Sequence, residues 1–157
     1  LLPIVKLISA LFVHVVFVII LFILAIANGE KPSLASLQVV YYMLCISVLV
    51  YAIGKITSSI IVFFRDLGQI VNIILQIGVW GTPIIWSYTI VPLKYQWIVK
   101  LNPVFYIVEG YRDSFISQKY FFEKPVLTMY FWILTLLILI AGNVSYKKLQ
   151  PHFADVL

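Results

Sequence analysis

Leu11-Phe12-Val13-His14-Val15-Val16-Phe17-Val18-Ile19-Ile20-Leu21-Phe22-Ile23-Leu24-Ala25-Ile26 decides the fold class. Fourteen of these residues are Leu, Ile, Val or Phe. At about −0.3 to −0.6 kcal/mol each for membrane insertion, they outweigh the one imidazole among them, His14. With its flanks the run reaches from Ile4 to Ala27, enough for a helix to cross the roughly 30 Å hydrocarbon core. It stops at Asn28-Gly29-Glu30-Lys31-Pro32, a strong turn signal.

Three more runs of this kind follow: 37–64, 67–90 and 126–146. They are too long and continuous for barrel strands, which would alternate over about ten residues. The composition agrees. The chain has 157 residues, 63% hydrophobic and only 11% charged, where a soluble domain carries about a quarter charged residues. The expectation is an all-α integral membrane protein forming one transmembrane domain. Its single cysteine, Cys45, permits no intrachain disulfide. The chain starts at Leu1 without Met and without a signal-peptide pattern, and reads as part of a longer protein.

The net charge of +5 suits anionic lipid or an anionic cargo. Nucleic acid is a poor partner, because the basic residues are scattered through loops beside membrane spans. Charge does not orient the chain. Lys6, Lys55, Arg65, Lys147 and Lys148 fall on one side; Lys31, Lys94, Lys100, Arg112, Lys119 and Lys124 fall on the other.

The third run carries a polar anomaly. Gln69, Asn72, Gln76 and Trp80 recur at i, i+3, i+7 and i+11, so a helix stacks them in one column among Ile, Val and Leu. Such a stripe wants a polar partner, either another helix or a hydrophilic cargo. Pro83, after Gly81-Thr82, should break the span above it. A break is tolerated at membrane depth only where protein or water re-satisfies the freed carbonyls. Arg65-Asp66 lies below the stripe, as an interface anchor or a coupling point. Lys55, inside the second span, reads as snorkelling or as part of a cargo path.

Residues 92–125 are too polar to span and too apolar for a free loop. Asn102-Pro103 is an N-cap followed by proline at the first helical position. Val104, Ile107, Val108, Tyr111 and Phe115 then mark one face, with Glu109, Arg112 and Asp113 off it. The pattern predicts a short amphipathic helix of three to four turns, lying on the membrane or dipping in and returning. Trp97, Tyr120, Phe121 and Phe122 suit the interfacial belt. Glu109 and Asp113, four apart, read with Arg112 as a surface ion-pair cluster rather than a hydrolytic pair.

Catalytic signatures are missing. Gly54-Lys55 has Leu49 where a P-loop needs glycine and Ile56 where it needs Ser or Thr. His14 and His152 are isolated, so no metal site is expected. Asn143-Val144-Ser145 falls inside a span and reads as a chance sequon.

In order and spacing the chain resembles the permease subunit of type-2 ABC exporters, closest to the branch exporting teichoic acids and lipid-linked polysaccharides. The resemblance rests on Leu2-Pro3, Phe63-Phe64-Arg65-Asp66-Leu67, Asn102-Pro103, Glu109-Gly110-Tyr111-Arg112 and the tail Pro151-His152-Phe153-Ala154-Asp155-Val156-Leu157. It implies six spans per permease, of which these four look like the last. It implies a homodimer with a pore between two copies, and two ATPase subunits that bring ATP and Mg. This chain itself would hold no cofactor and catalyse nothing. It implies a multi-pass protein of a bacterial cytoplasmic membrane, in a Gram-positive cell, serving cell-wall biogenesis. Leu1, Arg65-Asp66 and the tail 147–157 would be cytoplasmic, with 92–125 outside.

Under that reading Gln69, Asn72, Gln76 and Trp80 line the path of a lipid-linked polymer, wall teichoic acid first. Arg65 and Asp66 gate or couple. Asn102, Pro103, Glu109, Tyr111 and Arg112 form the external helix, with Arg112 either in a structural ion pair or on cargo phosphates. The alternatives are the same fold exporting O-antigen, capsular polysaccharide or a drug, and a non-ABC scaffold or channel.

Overall fold

The computed structural model describes residues 2–30, 32–64 and 66–151. The protein is an all-α integral membrane protein, and no strand occurs among the described residues. Its longest helices are α1 (Leu2–Ala27), α2 (Val39–Ile60) and α6 (Pro125–Leu149). Each is long and apolar enough to cross a membrane, α2 together with the 3-10 turn Leu34–Gln38 that leads into it. Ser33 opens that turn, its hydroxyl accepting the Ala35 N–H at 3.2 Å.

The run expected to span as 67–90 behaves differently. It is helical only as α3 (Leu67–Gly81), 15 residues. At about 1.5 Å per residue this is roughly 22 Å, short of a 30 Å core. Pro83 is the cause. It supplies no N–H to Val79, and it drives Thr82 into extended backbone at ψ 134°. The chain then runs through turns at Tyr88–Ile90 and Leu93–Tyr95 into α4 (Gln96–Lys100) and α5 (Pro103–Arg112).

Helices α2 and α6 form the centre and run parallel. Trp132 Nε1 donates to Tyr41 Oη at 2.8 Å near one end, and Lys55 donates to Asn143 Oδ1 near the other. Gly142 allows the close approach. A Cβ there would sit 3.2 Å from the Ala52 carbonyl oxygen, so a side chain at that point would need its neighbours to give by a few tenths of an ångström. A parallel pair needs a long crossover, and residues 61–124 supply it with α3, α4 and α5. Helix α1 packs outside, antiparallel to α2, with His14 beside Ile46 and Val50.

The core gathers Tyr42, Cys45 and Leu49 of α2, Tyr106 and Ile107 of α5, and Phe131 of α6. The short helix is thus wedged between spans instead of lying on a surface. Its buried residues are Phe105, Tyr106, Ile107 and Gly110, followed by Asp113 and Ser114. This corrects the face expected from Val104, Ile107, Val108, Tyr111 and Phe115. Polarity misled the pattern. Tyr106 can be buried because its hydroxyl meets Tyr41 Oη at 3.1 Å and Thr128 Oγ1 at 3.0 Å. Gly110 is buried because the Tyr42 ring occupies the place of a side chain. Beyond α5 a π-turn, Asp113–Ser117, ends at Gln118, which takes a left-handed φ of 50°.

A stapled helix break beside a bare amide face

Gln69, Asn72, Gln76 and Trp80 all lie on α3 and all are exposed. No residue of α3 is buried. The three amides make no side-chain hydrogen bond among the described residues, so no described helix serves as their partner. Asn72 borders a cavity of about 540 Å³ shared with Lys6 of α1 and Thr57 and Ser58 of α2. In hydrocarbon an unpaired amide costs far more than in water, so the face calls for a polar companion beyond the helices packed here.

Above the stripe several backbone groups find new partners. Ile84 N–H, which a continuous helix would send to Trp80, turns to Thr82 O at 2.7 Å. The Trp86 indole takes over the vacated Trp80 carbonyl at 3.1 Å. Arg112 Nη2 donates to both Ile84 O and Trp86 O at 3.0 Å. Asn102 Nδ2 donates to Thr82 Oγ1 at 2.7 Å, while its Oδ1 caps α5 by accepting from Val104 N at 2.9 Å. Thr82 and Pro83 are consequently buried. The break is a built joint held by α5, with Pro103 at the first position of that helix.

Arg112 also donates from Nη1 to Glu109 Oε1 at 2.7 Å. Both Nη2 hydrogens are spent on carbonyls and one Nη1 hydrogen on Glu109, so no free guanidinium edge presents a paired Nη fork to a phosphate. The expected surface cluster of Glu109, Arg112 and Asp113 is divided. Asp113 turns inward, is buried, and pairs with Lys124 at the start of α6. Asp113, the immediate neighbour of Arg112 in sequence, pairs instead with a cation eleven places away, where the π-turn Asp113–Ser117 begins.

Two further pairs were not legible in sequence. His14 Nε2 and Tyr111 Oη are 2.7 Å apart, which ties α1 to α5. Burial pushes the Tyr111 phenol up to about 12, with a smaller rise from nearby Cys45, so its O–H stays protonated beside His14. Lys55 does not snorkel freely. It donates to Asn143 and stands 5.5 Å and 5.8 Å over the rings of Tyr51 and Tyr146. Among the described residues no group of His, Cys, Asp or Glu could hold a metal ion.

Asp66 is exposed, and its carbonyl accepts from Gln69 N and Ile70 N at the start of α3. Arg65 and residues 152–157 lie outside the described residues.

The family model of ABC-2 type transporters matches residues 3–116. An O-antigen export system permease protein RfbA from Klebsiella pneumoniae is 29% identical over 131 residues, covering 82% of this chain and 49% of the relative. A second protein of that name and organism is 27% identical over 107 residues, covering 68% and 40%. The chain therefore spans about half the length, or less, of the curated relatives it matches.

Proposed function

Because the chain belongs to the ABC-2 type transporter family, we propose that it is the transmembrane part of an exporter whose amide face on α3 lines the route of a lipid-linked polysaccharide. One observation carries the assignment: Gln69, Asn72 and Gln76 stand exposed in a column on an apolar helix with no side-chain hydrogen-bond partner among the described residues. Neutral amides beside an aromatic ring offer hydrogen bonds and a stacking surface to sugar hydroxyls, without trapping an anionic polymer by charge. The stapled break at Thr82-Pro83 caps that column at one end, and the cavity beside Asn72 opens at the other.

The work comes from ATP hydrolysis on partner subunits, and a second copy closes the conduit. The names of the two relatives support a polysaccharide of the O-antigen kind. The teichoic acid suggested by the sequence resemblance shares the same hydroxyl-rich chemistry. ATPase stimulation of the purified complex by lipid-linked glycan against lipid-linked teichoic acid separates them. A purified complex without any nucleotide-binding subunit would remove the exporter reading altogether.

Asn72→Leu and Gln76→Leu test the conduit. Both should insert normally, since each replaces an amide with an apolar side chain in an apolar span. Polymer export should fall while protein level holds. Unchanged export at normal protein level sinks the assignment for those residues. Disulfide formation between copies carrying Gln76→Cys, with full export in the leucine variants, would instead make the amides a helix-to-helix joint.

A further inference from the structure

A second polar feature lies at the opposite end of the bundle from Lys6 and Asn72. Between the end of α4 and the start of α6 is an open cavity of about 520 Å³, lined mostly by apolar atoms of residues such as Leu101 and Val126. Tyr130 Oη donates to Leu101 O at 2.6 Å and fixes one wall. Three charged side chains line it: Lys100, Glu123 and Lys124. Lys124 is neutralised by Asp113. Lys100 has no acid in salt-bridge reach among the described residues, only the Tyr88 ring at 5.7 Å. Glu123 has no cation paired with it among the described residues, and one of its oxygens accepts the Tyr120 N–H at 2.9 Å. Trp97, three residues before Lys100 and so on the same helical face, is 60% exposed with a free indole N–H.

We propose that this cavity seats the headgroup of an amine-bearing glycerophospholipid from the surrounding membrane. The unanswered ammonium of Lys100 and the indole N–H of Trp97 would take the phosphate, the unanswered carboxylate of Glu123 the primary amine, and the apolar wall the first carbons of an acyl chain. One cation and one anion on the rim match a zwitterion better than a purely anionic headgroup, and the position of Trp97 and Tyr130 suits the membrane–water interface. The assignment is independent of the amide conduit.

The test uses the protein purified with its accompanying subunits, in phosphatidylcholine nanodiscs doped with brominated phosphatidylethanolamine or brominated phosphatidylglycerol. Tryptophan quenching is measured in the protein and in Trp97→Phe, and the difference isolates Trp97. The ethanolamine lipid should quench Trp97 more strongly. Glu123→Gln should abolish that preference, and Lys100→Gln should reduce quenching by both lipids. Equal quenching by the two lipids, or a preference that survives Glu123→Gln, overturns the proposal. So does displacement of the brominated lipid by a lipid-linked glycan, which would make the cavity a cargo site.

Discussion

Asn102 reaches across the helix break to Thr82, its Nδ2 donating to the threonine hydroxyl over 2.7 Å. One amide thus starts α5 and ends α3. The two halves of the crossover are fastened here, and the Arg112 contacts to Ile84 O and Trp86 O add a second fastening beside it.

Thr82→Val removes the acceptor and leaves the Asn102 donor unpaired at a half-buried position. The expected cost is about 1–2 kcal/mol, read as a lower thermal midpoint of the purified protein in detergent. Thr82→Ser, which keeps the hydroxyl, should melt close to the parent.

Arg112→Lys keeps the charge and loses the fork. A single ammonium cannot hold Glu109 and two carbonyls in their present places. Hydrogen exchange at the backbone amides of residues 84–88 should accelerate, with a stability loss of about 2 kcal/mol. Unchanged exchange there would show that the two carbonyl contacts do not hold the segment.

Gly110→Ala places a methyl group inside the Tyr42 ring, which is itself 2% exposed and has nowhere to go. Overpacking of this kind costs about 1–3 kcal/mol or more. Expression and thermal midpoint should drop, and adding Tyr42→Leu should recover part of both. No recovery in the double variant would place the defect elsewhere.

His14→Phe and Tyr111→Phe should be coupled. Hydrogen bonds between membrane helices average about 0.6 kcal/mol and reach about 1.7, and a double-mutant cycle on unfolding free energies reads the value. The Tyr111 phenol ionises at about 12 in the folded protein, raised by burial from its ordinary value near 10. The stabilisation it brings is therefore complete below pH 10 and is lost as pH rises from 10 towards 12. The stability gap between the parent and Tyr111→Phe should shrink across that window and no earlier.

Lys124→Met strands the buried carboxylate of Asp113. Breaking a buried pair from one side costs about 3–5 kcal/mol, an upper figure here because Lys124 is half-buried. Lys124→Met combined with Asp113→Asn should be milder than Lys124→Met alone. Equal melting of the single and double variants would mean that the pair contributes nothing.

The sequence patterns were informative where the signal is local. Asn102-Pro103 marked a helix start because capping is settled within three residues, and Pro83 marked a break because its ring acts on the turn before it. They misled where neighbours in space decide. The buried face of α5 and the π-turn after it includes Tyr106 and Asp113, polar residues that look like solvent-facing ones until Tyr41, Thr128 and Lys124 are brought to them. His14 looked isolated because its partner lies 97 residues away. The length of the third span was misjudged because apolar residues continue past Pro83 although the helix does not.

By itself the sequence determined that this chain inserts in a membrane as helices, where its polar stripe runs and where its crossover helix begins. Those outcomes are sums over contiguous residues, of transfer free energy, periodicity and capping. Only the tertiary structure decided that Arg112 is spent on the carbonyls of Ile84 and Trp86, that Asp113 serves Lys124, and that the amides of α3 have no partner among the described residues. Each of these depends on which donors and acceptors the packing of α1, α2, α5 and α6 brings within about 3 Å, a distance that residue order does not encode.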